Sequence, residues 1–282
     1  MQTKYVSGRV YNYDYCIGTT GVGGRNFFYP VDFALGSAGS LYVVQKGCEF
    51  FPCTGISKCT LDHELIWEDR GRGFMDGQAP MPSSIAVDSQ ENLYVSDEFT
   101  NQVFIFDRDG NRLGSWASES DYRLTTPARA SNELAYKPGL MPVANNFSIP
   151  FEMYLKKVGA MDTSGDGELN GPTGLTFDQE DRLFISDSHN HRIQIFAKDG
   201  TFLWKFGLYG QAEGELNMPW GLAIDKDSNV YVADWGNSRV QKFSDEGQYL
   251  ATLGGSGVWR RGSVPALKRG SGQGWRYVCD RL

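Results

Sequence analysis

From Gly171 the chain reads GPTGLTFDQEDRLFISDSHNHRIQIFAKDGTFLWKFG, and from Met218 it reads MPWGLAIDKDSNVYVADWGNSRVQKFSDEGQYLATLG. Short runs of β-branched, aromatic and aliphatic residues alternate with turns rich in Asp, Asn and Gly, the pattern of short strands rather than helices. In the first copy it predicts strands over 174–177, 183–186, 192–196 and 202–206, with Lys198, Asp199 and Gly200 turning between the last two.

The two copies are in register. Pro172 and Pro219 are 47 residues apart, as are Asp187 and Asp234. A third copy, MPSSIAVDSQENLYVSDEFTNQVFIFDRDGNRLGSW, starts at Met81, and a degenerate fourth starts at Tyr29. A four-stranded meander repeated about every 45 residues is a β-propeller blade. Blades are expected over residues 29–67, 81–117, 171–207 and 218–254, with a partial blade over 265–282.

The segments DSHNHRIQIF, DWGNSRVQKF and DEFTNQVFIF resemble NHL repeats, and Asn190 to Arg192 lies close to the triplet that names that family. The resemblance covers about Tyr29 to Gly254 apart from one insertion. It implies an all-β, six-bladed propeller, of which about four and a half blades are represented. It does not imply one activity, because the family includes scaffolds, sensors, RNA-binding domains and a lyase.

Three segments depart from the repeat. Residues 8–18 precede the first inner strand and read as a closing strand for the last blade. Residues 118–160 hold nothing like the LYVSD of a second strand, so a long insertion is expected rather than a hidden blade. Beyond Gly254 the repeat register persists in Pro265 and in YVCD at 277–280, yet ALKRGSG stands where GLAID is expected. The sequence therefore reads as truncated, with a shift of reading frame between Gly257 and Arg276, the alternative being a naturally open end.

The 282 residues carry a net charge of −7, and residues 1–254 hold 21 basic against 33 acidic side chains, a net −12. An acidic body without a basic patch argues against a nucleic-acid partner. No apolar run is long enough to span a bilayer, and the first residues lack a signal-peptide core. A cytoplasmic protein is expected, or a secreted or periplasmic one if a signal peptide lies upstream of Met1.

Strands alternate in direction, so linkers between blades and turns between second and third strands open on one face, and the remaining turns open on the other. The second group is uniformly tight (RDGN, KDGT, DEGQ), whereas the first is elaborated, which makes it the candidate binding face. Its candidate residues are Asp97, Glu98, Phe99, Asp187, His189, Trp220, Asp234 and Trp235. Arg192 and Arg239 follow Asp187 and Asp234 by five residues, so internal ion pairing is the competing role for those aspartates. Asp97 has Gln102 in the arginine position.

Two stretches raise metal chemistry. Residues 162–173, DTSGDGELNGPT, place Asp162, Ser164 and Asp166 at the first, third and fifth positions of an EF-hand-like loop, with Glu168 at the seventh. The twelfth position is Thr173 rather than glutamate, and GELNGP aligns with GELNMP of the next copy, so an inter-blade linker is the favoured reading over a calcium site. Cys48, Cys53, Cys59 and His63 offer three thiols and an imidazole for zinc, or a disulfide in an exported chain, although only the second half of the set has zinc-finger spacing. Unremarkable thiols are the favoured reading there.

No nucleophile elbow, phosphate loop or Ser/His/Asp set is present. The expected function is a non-catalytic binding or scaffold propeller, without cofactor, that recognises a protein or small ligand on the elaborated face. The alternative is a metal-assisted hydrolase or lyase using a divalent ion held by channel carboxylates.

Overall fold

The computed structural model describes residues 3–6, 9–12, 27, 30–46, 54–62, 64–71, 81–98, 100–117, 140–142, 148–150 and 164–254. It divides into two compact units, Met1–Pro172 and Thr173–Leu282. The fold is all-β, built from four-stranded antiparallel meanders of the β-propeller type. None of the described helices is long and apolar enough to cross a membrane.

The first unit opens with a hairpin in which β1 (Thr3–Val6) pairs with β2 (Arg9–Asn12). The segment expected to close the last blade therefore has, among the described residues, its own neighbour as partner. Blade one follows as β3 (Pro30–Leu35), β4 (Ser40–Gln45), β5 (Thr54–Thr60) and β6 (Leu65–Gly71). Blade two comprises β7 (Pro82–Val87), β8 (Leu93–Asp97), β9 (Gln102–Phe106) and β10 (Arg112–Ala117). Strand β4 shows why the run LYVV is apolar throughout. Tyr42 and Val44 pack with Ile56 against Ile85, Leu93, Val95 and Phe104 of blade two, while Leu41 and Val43 turn the other way to meet Cys59. Period-two geometry thus buries both faces of one strand.

Polar contacts tie the same two blades. Asp32 accepts hydrogen bonds from the Ser84 hydroxyl and from the Ile85 amide at 3.1 Å. Lys58 and Trp67 of blade one both donate to the Arg108 carbonyl of blade two, at 3.3 and 3.1 Å. Within the expected insertion the described residues form a second hairpin, β11 (Leu140–Pro142) with β12 (Ser148–Pro150).

In the second unit, blade three is β13 (Pro172–Phe177), β14 (Arg182–Asp187), β15 (Arg192–Ala197) and β16 (Phe202–Phe206). Blade four is β17 (Pro219–Ile224), β18 (Val230–Asp234), β19 (Arg239–Phe243) and β20 (Tyr249–Gly254). Phe184, Ile193, Ile195 and Phe206 of blade three meet Val230, Val232 and Phe243 of blade four, with Leu216 of the linker sealing the cluster. Backbone meets backbone across these two blades where Gly174 abuts the Trp220 carbonyl, a space that no Cβ fits. The expected partial blade at 265–282 lies outside the described residues, as does the rest of the chain beyond Gly254.

Candidate functional site

In blade four the chain leaves β18 at Asp234, makes a 3-10 turn over Trp235–Asn237, and enters β19 through Ser238 at φ 53°. Blade three does the same over Ser188–Asn190, entering β15 through His191 at φ 55°, and Asn101 of blade two has φ 58° at the equivalent place. The left-handed residue reverses the chain in the space of one turn and keeps the following strand in register.

The three repeated aspartates are the anchors of these turns. Asp187 is buried and accepts from Arg192 Nε at 2.7 Å, Asn190 Nδ2 at 2.9 Å and Gln194 Nε2 at 3.0 Å. Asp234, equally buried, accepts from Arg239 Nε at 2.6 Å, Asn237 Nδ2 at 2.9 Å, Gln241 Nε2 at 3.2 Å and the Asn217 amide at 2.7 Å. Asp97 is buried too, and it receives the Met81 amide and both the amide and hydroxyl of Thr100. Each of the three carboxylates is closed to solvent within its own blade. Gln194 and Gln241, absent from the sequence-level candidates, recur at the 47-residue offset and complete the network.

The linker into blade four is stitched to this turn. Arg239 donates to the carbonyls of Gln211, Ala212 and Glu215 at 2.7–2.8 Å, and Gln241 binds the Glu215 carbonyl and the Gly214 amide. The Glu215 carboxylate accepts the Ala212 amide at 2.8 Å. One repeat earlier Glu168 accepts the Gly165 amide at 3.0 Å, so this calcium-candidate side chain closes the equivalent linker turn. Asp166 is exposed beside it, and Asp162 lies outside the described residues.

The second unit leaves large aromatic side chains open on this face. Trp235 is 61% exposed and Trp220 36%, their ring centroids 6.2 Å apart and tilted by 48°. Tyr209 and Leu208 of the linker are 67% and 62% exposed, and the Tyr209 ring stands 4.6 Å from that of His191. Nδ1 of His191 accepts the Met218 amide at 3.0 Å, which puts the imidazole proton on Nε2. Burial pushes the His191 pKa below its ordinary value, nearby His189 pushes it the same way, and Asp234 opposes them. His189 is exposed on the same turn.

The opposite face of the unit has a different character. Arg182 bridges Asp178, Glu180 and Asp245, Lys198 meets Asp181, Lys226 meets Asp227, and Lys242 meets Asp225. It is a solvated mesh of paired charges.

In the first unit Glu98 is held by Lys46 at 2.7 Å, and Phe99 lies outside the described residues. Cys59 is a free thiol buried with Leu41 and Val43, and burial pushes its pKa up. Cys48, Cys53 and His63 lie outside the described residues. Among the described residues no three His, Cys, Asp or Glu side chains converge on a metal-sized site.

The NHL repeat family model matches residues 169–196 and 216–243, the inner three strands of blades three and four with the last residues of the linker before each. The chain carries NHL repeats. It is 25% identical over 150 residues to Protein brain tumor of Drosophila melanogaster, covering 48% of this chain and 13% of that one. Protein lin-41 of Caenorhabditis elegans is 52% identical over 42 residues, which is 15% of this chain and 4% of the relative. The RING finger protein nhl-1 of the same organism is 47% identical over 45 residues, 16% of this chain and 5% of the relative. The chain thus spans 13% or less of the length of these curated relatives. Among solved structures, a catalytically inactive virginiamycin B lyase from Staphylococcus aureus with quinupristin is similar at a TM-score of 0.48 and 12% identity, over 79% of this chain and 54% of that one. The expected exclusion of nucleic acid as a partner is not supported by these comparisons.

Proposed function

We propose that this NHL propeller is a non-catalytic recognition module that binds a protein partner on the linker face of its second unit. The observation that supports the reading is the exposed Trp220–Trp235 pair. Large aromatic side chains left in water on a preorganised turn are the residues that dominate protein interfaces. On the opposite face the lysines and arginines that a partner would meet are paired with neighbouring carboxylates. No described convergence of carboxylates or histidines favours the hydrolase or lyase alternative.

Photo-crosslinking tests this. A photoreactive amino acid replaces Trp235 in one version of the full chain and Asp227, on the opposite face, in another. A defined protein adduct from position 235 alone is the expected result. Adducts from position 227 alone overturn the assignment of the face, and an RNA adduct from position 235 overturns the class of partner.

A further inference from the structure

We infer that the aromatic ledge of Tyr209, Trp220 and Trp235 takes a basic segment of the partner, with an arginine or lysine side chain laid on the indoles and its charge meeting Glu213 and Glu215. The inference rests on the reading of the linker face as the binding face and goes on to name what binds there.

The ledge is built to stay open. The Trp235 carbonyl accepts the Ser238 amide at 3.0 Å, and the Gly236 amide donates to the Asn217 carbonyl at 2.8 Å. A Cβ at Gly236 would collide with Asn217, so the turn is pressed against the linker and its backbone is held in place. The Asn237 amide reaches the Gly210 carbonyl at 2.8 Å, which carries Tyr209 on the same rigid support. A surface already ordered before binding loses little conformational entropy when a partner arrives.

Charge selects the occupant. The linker 207–218 and the two turns 188–191 and 235–238 contain two acidic residues, Glu213 and Glu215, and no lysine or arginine. The neighbouring Arg192 and Arg239 are spent on Asp187 and Asp234. Lys205, exposed on β16, is the nearest basic residue preceding the linker in the chain. An acidic segment would meet like charge here, whereas a basic one meets two carboxylates and two π faces.

The fold shows the same chemistry internally. Arg182 lies 5.1 Å over the Trp204 ring, and Lys242 lies 5.2 Å over Tyr231. Among the described residues no arginine or lysine covers Trp220 or Trp235. Indole is the strongest of the aromatic faces for a cation, and the pair offers two.

The test uses the full chain with 15N-labelled tryptophan and four probes: a nonapeptide of alternating glycine and arginine, the same peptide with neutral citrulline for arginine, an acidic Gly/Glu counterpart, and oligouridine. The arginine peptide is expected to shift the indole N–H signals of Trp220 and Trp235 and leave in place that of half-buried Trp204, whose indole nitrogen is enclosed. The citrulline peptide and the W220A/W235A variant are each expected to bind about tenfold more weakly. Glu213→Gln is expected to weaken binding and reduce its salt dependence. Equal binding by the citrulline peptide at the same indoles overturns the cationic occupant and leaves the face standing. Oligouridine shifting these indoles where the arginine peptide does not overturns the inference. If no probe moves them and crosslinks form only from position 227, both the inference and the binding face fall.

Discussion

Arg239 donates through Nε to Asp234 at 2.6 Å and, through its other nitrogens, to three carbonyls of the preceding linker. One guanidinium therefore joins the turn of blade four to the segment that delivers the blade. Arg239→Met leaves a buried carboxylate without its cation and strands the carbonyls, and it is expected to cost about 3–5 kcal/mol in urea unfolding. Arg239→Lys restores the charge but not the fork, so it should recover only part of the loss.

Gly174 and Gly114 make a matched pair. A Cβ at Gly174 meets the Trp220 carbonyl, whereas a Cβ at Gly114 meets nothing within 4 Å. Gly174→Ala is expected to destabilise by about 1–3 kcal/mol through overpacking of backbone against backbone. Gly114→Ala should be neutral or slightly stabilising, since it mainly restricts the unfolded chain. Denaturation midpoints of the two variants decide the point.

His191 supplies a pH dependence. Its folded pKa lies below the ordinary value, so between the two values the unfolded chain binds the extra proton. Its contribution to stability is complete above the unfolded pKa of about 6.5. It declines as pH falls through that value toward the depressed folded one, because a proton on Nδ1 displaces the Met218 amide. Melting temperatures of the wild type and of His191→Gln are expected to converge on acidification from pH 7.5 to 5.5. Parallel curves would remove His191 from the account.

Cys59 should be chemically silent in the folded protein. Its thiol is buried and its pKa raised, so thiolate is scarce and sheltered from reagent. Mass-resolved labelling with a thiol reagent is expected to modify Cys59 only on unfolding. Cys59→Ser, which puts a hydroxyl among Leu41 and Val43, should cost about 1–3 kcal/mol.

The repeat made the blades legible because each strand is bounded by a residue with one physical role. The second strand of blade three, expected over 183–186, spans Arg182–Asp187, and the outer strand Phe202–Phe206 has its expected bounds. The five-residue spacing from Asp187 to Arg192 also anticipated their ion pair. Asp97 could not be resolved that way, because its partners include the Met81 and Thr100 amides, and backbone donors leave no mark in a sequence. The aromatic pair was legible only as two separate tryptophans. Trp220 opens an inner strand and Trp235 follows a second strand, and the pairing of Pro219 with Asp234 is what brings them together. Tyr209 was missed although an aromatic residue in a linker of Gly, Gln and Glu was itself a signal.

The bonds from Arg239 and Gln241 to the linker also bear on where this chain tolerates being cut. A protease needs to draw a stretch of backbone into an extended form, and the carbonyls of residues 211, 212 and 215 are already occupied. The tight turn at Asp199–Gly200 closes a single hairpin and carries no second blade. New chain ends, whether from nicking or from circular permutation, belong at that turn, while the same cut at Glu213–Gly214 would separate two blades that depend on the linker to seal the cluster between them.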